Sequence, residues 1–593
     1  VAKRKGESGY LAEYGLQLHY VDSIDDLFEF KRWVGERRPG PMGFDTETEG
    51  LQPDFDRVRL AQFGDLKQGW AIPFERWGGA VIEILRRYEG EWVLHNSKFD
   101  IRSIQAEEPE LIWPWHRTHD TMNLAHIVNP LRAKGLKPLG GRLVDPQAVA
   151  MQKSLDQDMA THKWNWKTVP IDHPSYWIYA AMDPVLTCHI HEELKEAAVL
   201  YKDNYDLEMG TTRVASKMER RGMRVDVPYL EEKDLYLNDR IQVMKAWLWD
   251  EFKLDNPTPL RLVDFFEKNN VPMLDKKTKS GKQAMDADVL DSIKHPAAEV
   301  VRNIRKAGKL SGTYLQNLLK LRDDNDRVHA NIWTMGTRTA RMTVTDPALQ
   351  TLPKKDTTVR SAFIPSDGYG LISFDMDQIE ARLMAIFAGS QPMIDAFNSG
   401  DDFFLMIASK VYQEMITDKK DPRRQLSKGS VYGKIYGGGP ETLADKAGVS
   451  FEEMAGFLNK FDRDFPEVTM LQNKLQMLGQ QRRGVDGEAW IRTPMGRKLM
   501  SDEDKDYTLT NYLIQGHAAE LMKKKLVHLD TILPEEAHIL MAVHDELVME
   551  APVEMIPDLM PMIAKELDDF TTHPIPITWG GDYSTTSWGA LVD

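Results

Sequence analysis

At 593 residues, 42% hydrophobic and 28% charged, the chain has the composition of a soluble globular protein and is too long for a single hydrophobic core. Its net charge is −16 and its one cysteine is Cys188, which excludes a disulfide framework and a cysteine-ligated structural zinc site and fits a reducing cytoplasm. No apolar run reaches the roughly 20 residues a membrane span needs, and the opening VAKRKGESGY lacks the apolar segment of a secretory signal.

Residues 41 to 105 alternate short apolar runs (RVRLAQFG, GWAIPF, EWVLH) with turns and helical stretches, which predicts an α/β domain with a mixed sheet. In FDTETEG, Asp45 and Glu47 stand two apart at the end of a predicted strand, so both side chains leave on one face. Asp100 closes HNSKFD, four residues after Asn96, and in YAAMD Tyr179 and Asp183 lie one helical turn apart. Acids brought together in this way repel unless hard cations neutralise them, and carboxylate oxygens are what Mg²⁺ and Mn²⁺ prefer. The chemistry this implies is metal-assisted phosphodiester hydrolysis. The ordered set DTE, N-x-x-x-D and Y-x-x-x-D resembles the three motifs of the DnaQ-like 3′→5′ proofreading exonucleases, a family with a ribonuclease-H-like fold. The resemblance implies that Asp45, Glu47, Asp100 and Asp183 hold two metal ions, and that Tyr179 orients the water attacking a single-stranded 3′ end.

From about 115 to 250 the pattern turns mostly helical, and a domain boundary is expected near 200. The segment 272 to 288, PMLDKKTKSGKQAMDAD, reads as a flexible basic tip able to touch a polyanion. Residues 301 to 360 hold twelve Lys/Arg against five Asp/Glu, with Arg338 and Arg341 close together in GTRTAR, a local excess able to follow a phosphate backbone despite the acidic total.

Beyond 368, GLISFD predicts a strand ending at Asp375 and AHILMAVHDELVMEA a hairpin with Asp545 at its turn, bracketing a helical stretch from 376 to 530. Taken singly, each aspartate reads as a turn or cap residue. Paired, they suit a shared set of metal ions for in-line nucleotidyl transfer. In DPRRQLSKGSVYGKIYGGG, Asp421 and Pro422 predict a helix start and Gly437 to Gly439 its stop. Arg424, Lys428, Tyr432 and Tyr436 recur every four residues, drifting by about 40° per step. They form a stripe that is basic at one end and aromatic at the other, suited to a triphosphate and a base.

The whole C-terminal body resembles the family A DNA polymerases, the DNA polymerase I group. DMDQIEAR is similar to that family's DYSQIELR, RQLSKGSVYGKIYG to its R-x₃-K-x₃-[FY]-G-x₂-YG helix, and VHDEL to its third motif. TARMTVTDPALQTLP and NYLIQGHAAELMK are similar to two further segments. The resemblance implies that Asp375, Asp545 and the backbone carbonyl of Met376 ligate two Mg²⁺, with Mn²⁺ able to substitute. It gives Arg424 and Lys428 the triphosphate, Lys428 protonation of pyrophosphate, Glu380 with Gln378 the gate against a ribose, Tyr436 the template base and His544 the primer end. Arg341, Gln350, Asn511 and Gln515, with Arg338 near them, would read the primer-template minor groove, and Tyr432 in place of phenylalanine implies weak discrimination against dideoxynucleotides. Three positions depart from the pattern: Met376 for an aromatic, Asp377 for serine and Ala340 for glycine.

The expected architecture is multidomain α/β and α+β, an exonuclease domain (1–200) followed by a right-hand polymerase. Thumb and the start of the polymerase domain take 201–330, palm 331–380, most of the fingers 381–510 and the remaining palm 511–593. There is no room before Asp45 for a 5′-nuclease domain, so a compact phage-type enzyme working in the cytoplasm of an infected bacterium is expected, with a shortened bacterial version as the alternative. Its partners would be primer-template DNA and dNTPs, acting as a monomer, with replisome accessory proteins left open. The alternatives are a stand-alone exonuclease whose C-terminal body grips DNA, and a DNA-binding protein without catalysis.

Overall fold

The computed structural model describes residues 15–37, 40–352 and 356–591, so the opening VAKRKGESGY, Pro353 of the TDPALQTLP stretch and Lys354 and Lys355 of the basic region lie outside the described residues. Among the described residues, no helix is long and apolar enough to cross a membrane.

The N-terminal part is built from β1 (Gln17–Tyr20), α1 (Ile24–Glu36), β2 (Met42–Thr48), β3 (Val58–Gly64), β4 (Gln68–Pro73), α2 (Phe74–Arg87), β5 (Trp92–Leu94), α3 (Ser97–Glu107) and β6 (Thr118–Asp120). Its mixed six-stranded sheet has the order β1-β4-β3-β2-β5-β6. Helix α1 starts on a Ser23 capping box and buries Leu27, Phe30, Trp33 and Val34, the face its spacing dictates. Strand β2 lies inside the sheet, antiparallel to β3 and parallel to β5, and Phe44 anchors it among Phe63, Trp92 and Trp113.

Helix α4 (Leu136–Leu143) precedes the long α5 (Pro174–Leu200), which lies against this sheet. The approach is close enough to require glycine. A Cβ at Gly69 would stand 1.9 Å from the Ala181 carbonyl oxygen, and one at Gly43 2.4 Å from that of Pro184. Helix α6 (Lys202–Arg221) then leads into α7 (Val227–Phe252) and α8 (Pro296–Gly308). The segment 272–288 departs from the expected flexible tip. Lys277 and Gln283 pair across a tight turn, and Ala284 and Met285 are buried in the body's core, so two apolar side chains pin a stretch that is otherwise polar.

The C-terminal body contains β7 (Tyr369–Met376), α9 (Ile379–Ala388), α10 (Phe403–Tyr412), α11 (Pro422–Ile435), α12 (Leu509–Ile532), β8 (His538–Val543), β9 (Glu546–Pro552), α13 (Ile556–Leu567) and β10 (Trp579–Ser584). Its sheet is antiparallel, in the order β8-β9-β7-β10. The predicted strand and hairpin are both present. Strand β10, from WGGDYS, carries too little apolar alternation to announce itself.

Two large cores, one under each sheet, are joined by a smaller apolar cluster in which Leu124, Leu186 and Ile190 meet Tyr205, Met335 and Ala340. An ionic clamp reinforces the junction. Lys98 and Arg102, one turn apart on α3, both reach Glu219 of α6, at 2.5 and 3.6 Å, and all three residues are at most 5% exposed. Glu219→Ala would leave buried Lys98 without its carboxylate partner, while Arg102 keeps Asp54, a loss of about 3 kcal/mol. A lowered unfolding temperature by calorimetry is the expected result.

Candidate active sites

The first site forms where β2 faces α5. Ligand oxygens of Asp45, Glu47 and Asp183 lie within 4.8 Å of one another. Alternation along β2 puts Asp45 and Glu47 on one face, and the close packing of α5 at Gly43 brings Asp183 to them. Asp100 stands outside that trio. Its Oδ1 accepts the Thr46 N–H at 2.9 Å and the Thr46 hydroxyl at 2.8 Å, although its charge is felt beside that of Asp45. Asp120 fixes the start of α3, and so the aim of Asp100, by accepting the backbone N–H of Asn96 and Ser97. Asn96 itself sits in the left-handed region, at φ 62°.

Burial pushes Asp45 up to about 7, with Lys137 partly offsetting it. Burial and then the charge of Asp45 raise Glu47 and Asp100 well above the carboxylate range. Such a set of hard oxygens, costly to ionise where it stands, is the donor chemistry a hard divalent cation relieves. The residues present therefore fit the metal that the motifs imply. Tyr179 borders the cluster, its hydroxyl raised by burial and then by Glu47 and Asp45. Lys137 on α4 was not foreseen: its ammonium bonds Asp183 Oδ1 and lies 4.1 Å from the Tyr179 ring centre. A lone lysine in GLKPLGG reads as a surface residue, and no local signal marks it.

The second site lies at the end of the C-terminal sheet. Asp375, next to last in β7, pairs with Glu546 of β9, and the Met376 N–H donates to the Asp545 carbonyl at 3.0 Å, so the turn residue Asp545 lies beside the strand end that carries Asp375. Asp545 occupies the tight β8–β9 turn after His544, whose φ of 58° makes the reversal. Asp377 accepts the Thr578 hydroxyl at 2.7 Å, which gives this extra acid a partner on the approach to β10. Met376 is buried, and Gln378 opens α9 in the left-handed region.

Asp421 caps α11 and Pro422 stands in its first turn, as expected. Lys428 is exposed, with its ammonium 5.8 Å from the Phe404 ring centre. The hydroxyl of Tyr432 is raised by burial and then by Glu380, Asp545, Tyr436 and Asp375, which sets this helix over the acids. Tyr436 donates to Glu380 at 2.9 Å, and Arg341 grips the same carboxylate. Arg424 is not the outward cation its spacing predicts. It forks onto Asp402, at 3.0 and 2.7 Å, because that residue caps α10 alongside.

The residues expected to face the minor groove lie among one another's neighbours. Thr339 donates to Gln515 at 3.5 Å, Arg338 reaches Tyr512, Gln350 donates to the Met342 carbonyl, and His544 bonds the Gln350 carbonyl at 3.0 Å. Asn511 Oδ1 is buried without a hydrogen-bond partner. The basic stretch is less open than its composition implies. Arg302, Lys306, Arg322, Arg327, Arg338, Arg341 and Arg360 each lie within 4 Å of a carboxylate. Ala340 takes the left-handed conformation, φ 58°, that the glycine of the similar motif adopts without strain.

An acidic nuclease cluster on a mixed sheet, joined to a strand-borne aspartate pair under a basic-aromatic helix, defines a nucleotide-polymerising enzyme with a second, hydrolytic site. The model for DNA polymerase family A matches residues 230–589 and that for a 3′-5′ exonuclease matches residues 19–198. The chain belongs to the family A DNA polymerases and carries a 3′→5′ exonuclease domain. The DNA polymerase of Mycobacterium phage D29 is 30% identical to it, with 97% of each chain covered, and that of phage L5 is 28% identical at the same coverage. DNA polymerase I of Bacillus caldotenax is 29% identical over 65% of this chain and 46% of its own length. The fold is shared with the POL domain of Pol1 from M. smegmatis, solved with DNA primer-template and dNTP, at a TM-score of 0.78 and 22% identity over 95% of this chain and 99% of that one. A stand-alone nuclease and a DNA-binding protein without catalysis are therefore set aside.

Proposed function

We propose that this chain extends a DNA primer along its template from dNTPs at the β7–β9 site and trims mispaired 3′ ends at the β2–α5 site, each with two Mg²⁺ that Mn²⁺ can replace. Asp375, Asp545 and the Met376 carbonyl would hold the ions of the first site, and Asp45, Glu47, Asp183 and Asp100 those of the second. When bound, such ions lower the pKa of the attacking hydroxyl or water and neutralise charge on the leaving oxygen.

The rest falls to side chains. Lys428 and Arg424 bind the triphosphate. For Arg424 this means exchanging the Asp402 carboxylate for a phosphate, one bidentate partner for another. Lys428 gives its proton to the departing pyrophosphate. Glu380, held by Arg341 and Tyr436, blocks a ribose 2′-hydroxyl beside Gln378. Tyr436 then stacks at the template base and His544 meets the primer end. Arg338, Arg341, Gln350, Asn511 and Gln515 test the shape of the minor groove, where acceptors are common to all correct pairs. Tyr179 orients the hydrolytic water.

The observation that carries this reading is that the turn bearing Asp545 is bonded to the end of the strand bearing Asp375, with the Tyr432 hydroxyl in the field of both. Two phage polymerases matching over 97% of this chain support a role in replicating a bacteriophage genome; within this proposal the chain works as a monomer in the host's cytoplasm. Extension of a primed single strand with four dNTPs and Mg²⁺, abolished by a chelator, tests it, and added host extract reveals any accessory protein. Tyr432→Phe is expected to lower dideoxynucleotide incorporation about tenfold, since its hydroxyl supplies a hydrogen bond the missing 3′-hydroxyl would make. Equal incorporation by wild type and variant would remove Tyr432 from sugar selection.

A further inference from the structure

Among the described residues, Lys137 is the one cation bonded to the acid trio at the nuclease site, and none of the motifs accounts for it. It is the second residue of α4, 9% exposed, and its side chain reaches to Asp183 on α5. Its ammonium bonds Asp183 Oδ1, lies 4.1 Å from the Tyr179 ring centre and has Asp45 and Glu47 as its charged neighbours. One ammonium thus touches or faces both the acids that gather a metal and the phenol beside them.

A fixed positive charge among these carboxylates opposes cation binding, because it competes for an oxygen and cancels part of the field that attracts the ion. A cage serving only to hold metal would gain by losing it. The charge becomes useful when a phosphodiester, itself an anion, enters the site. An ammonium has three donors, and Asp183 takes one through Oδ1. The others can meet a non-bridging phosphate oxygen.

We propose that Lys137 is a further catalytic residue of the exonuclease, an ammonium donor that trades metal affinity for stabilisation of the phosphate being cleaved. In the step it assists, a water oxygen bonds to the terminal phosphorus and the bond to the preceding nucleotide's 3′ oxygen breaks. The water's proton ends, in net, on that departing oxygen, and a nucleoside 5′-monophosphate leaves. Lys137 keeps its own proton throughout. The inference rests on the reading of the acid cluster as the proofreading site.

The test compares wild type, Lys137→Met and Lys137→Arg, each in the full chain. Mn²⁺ binding is measured by paramagnetic resonance in an Asp375→Ala background, which removes the contribution of the second site. Single-turnover removal of a mispaired 3′ nucleotide is followed at saturating Mn²⁺ with Asp375 intact. Lys137→Met is expected to bind Mn²⁺ about threefold tighter and to cleave at least about tenfold slower, with Lys137→Arg recovering much of the rate. Weaker Mn²⁺ binding in step with slower cleavage would make Lys137 scaffolding, and unchanged cleavage would remove it from the reaction. Either result overturns the proposal. Thermal melting separates misfolding from both, and Lys137→Arg keeps the question answerable should Lys137→Met fail to fold. If Asp45→Ala with Glu47→Ala still trims 3′ ends, it is the reading of the cluster that has failed.

Discussion

Asp375→Ala is expected to slow primer extension at least about a thousandfold, roughly 4 kcal/mol of transition-state stabilisation, while leaving removal of 3′ nucleotides at the wild-type rate. The size follows from where Asp375 sits. It lies next to last in β7, beside the turn that carries Asp545, and the ladder fixes their separation through seven cross-strand pairs from Tyr369–Pro552 to Asp375–Glu546. Among the described residues, the neighbouring carboxylates Glu546 and Asp377 are already engaged. Glu546 accepts hydrogen bonds from Ser373 and the Trp588 indole and pairs with Arg360, and Asp377 accepts from Thr578. A remaining acid that must break such bonds to reach the site would restore little. Fold should be untouched, because Asp375 is exposed while its neighbours Phe374 and Met376 carry the packing. Steady-state extension by gel, with circular dichroism as the control for folding, measures both halves. Extension within tenfold of wild type would mean that the aspartate pair is not the synthetic centre.

How far the residues alone reach depends on whether a feature is local. The end of β7, the β8–β9 turn and the Asp421–Pro422 start of α11 were all readable, since capping and alternation act within a few residues. The nuclease trio was readable for the same reason, two of its members being partners on one strand and the third sharing a helix face with Tyr179. What escaped lies in contacts between distant segments. The spacing offers Arg424 to a triphosphate because Asp402 is twenty-two residues away, and the charge count offers Arg327 and Arg360 to a phosphate backbone because Glu550 and Glu546 arrive from β9. Charge counted along a window measures how many cations are present, and only the fold decides how many are already neutralised. Asp100 illustrates the same limit, since the Thr46 groups that hold its Oδ1 belong to the strand between Asp45 and Glu47. Lys137 is the extreme case, for nothing in the sequence around it announces the packing of α4 on α5 that brings it to Asp183.

Removing Asp45 and Glu47 together, both to alanine, is expected to reduce degradation of a primer 3′ end at least about a thousandfold, with synthesis within about twofold of wild type. Two of the three clustered carboxylates disappear, and Asp183 would then be left with the Lys137 ammonium as its bonded partner. Independence of the two activities follows from the separation of the two sheets: the trio hangs on β2 and α5, whereas the synthetic pair belongs to β7 and the β8–β9 turn. The two parts are linked by the apolar cluster around Leu124, Leu186, Tyr205 and Met335 and by the clamp of Lys98 and Arg102 on Glu219, and neither Asp45 nor Glu47 belongs to either. Stability should rise slightly if it changes, since two carboxyls held far above their usual range by burial are replaced by small apolar groups. A 3′-labelled mispaired primer reports degradation, and the same primer with dNTPs reports synthesis. Loss of both activities in a folded variant would show that the acid cluster also supports polymerisation, and the assignment of one reaction to each sheet would have to be abandoned.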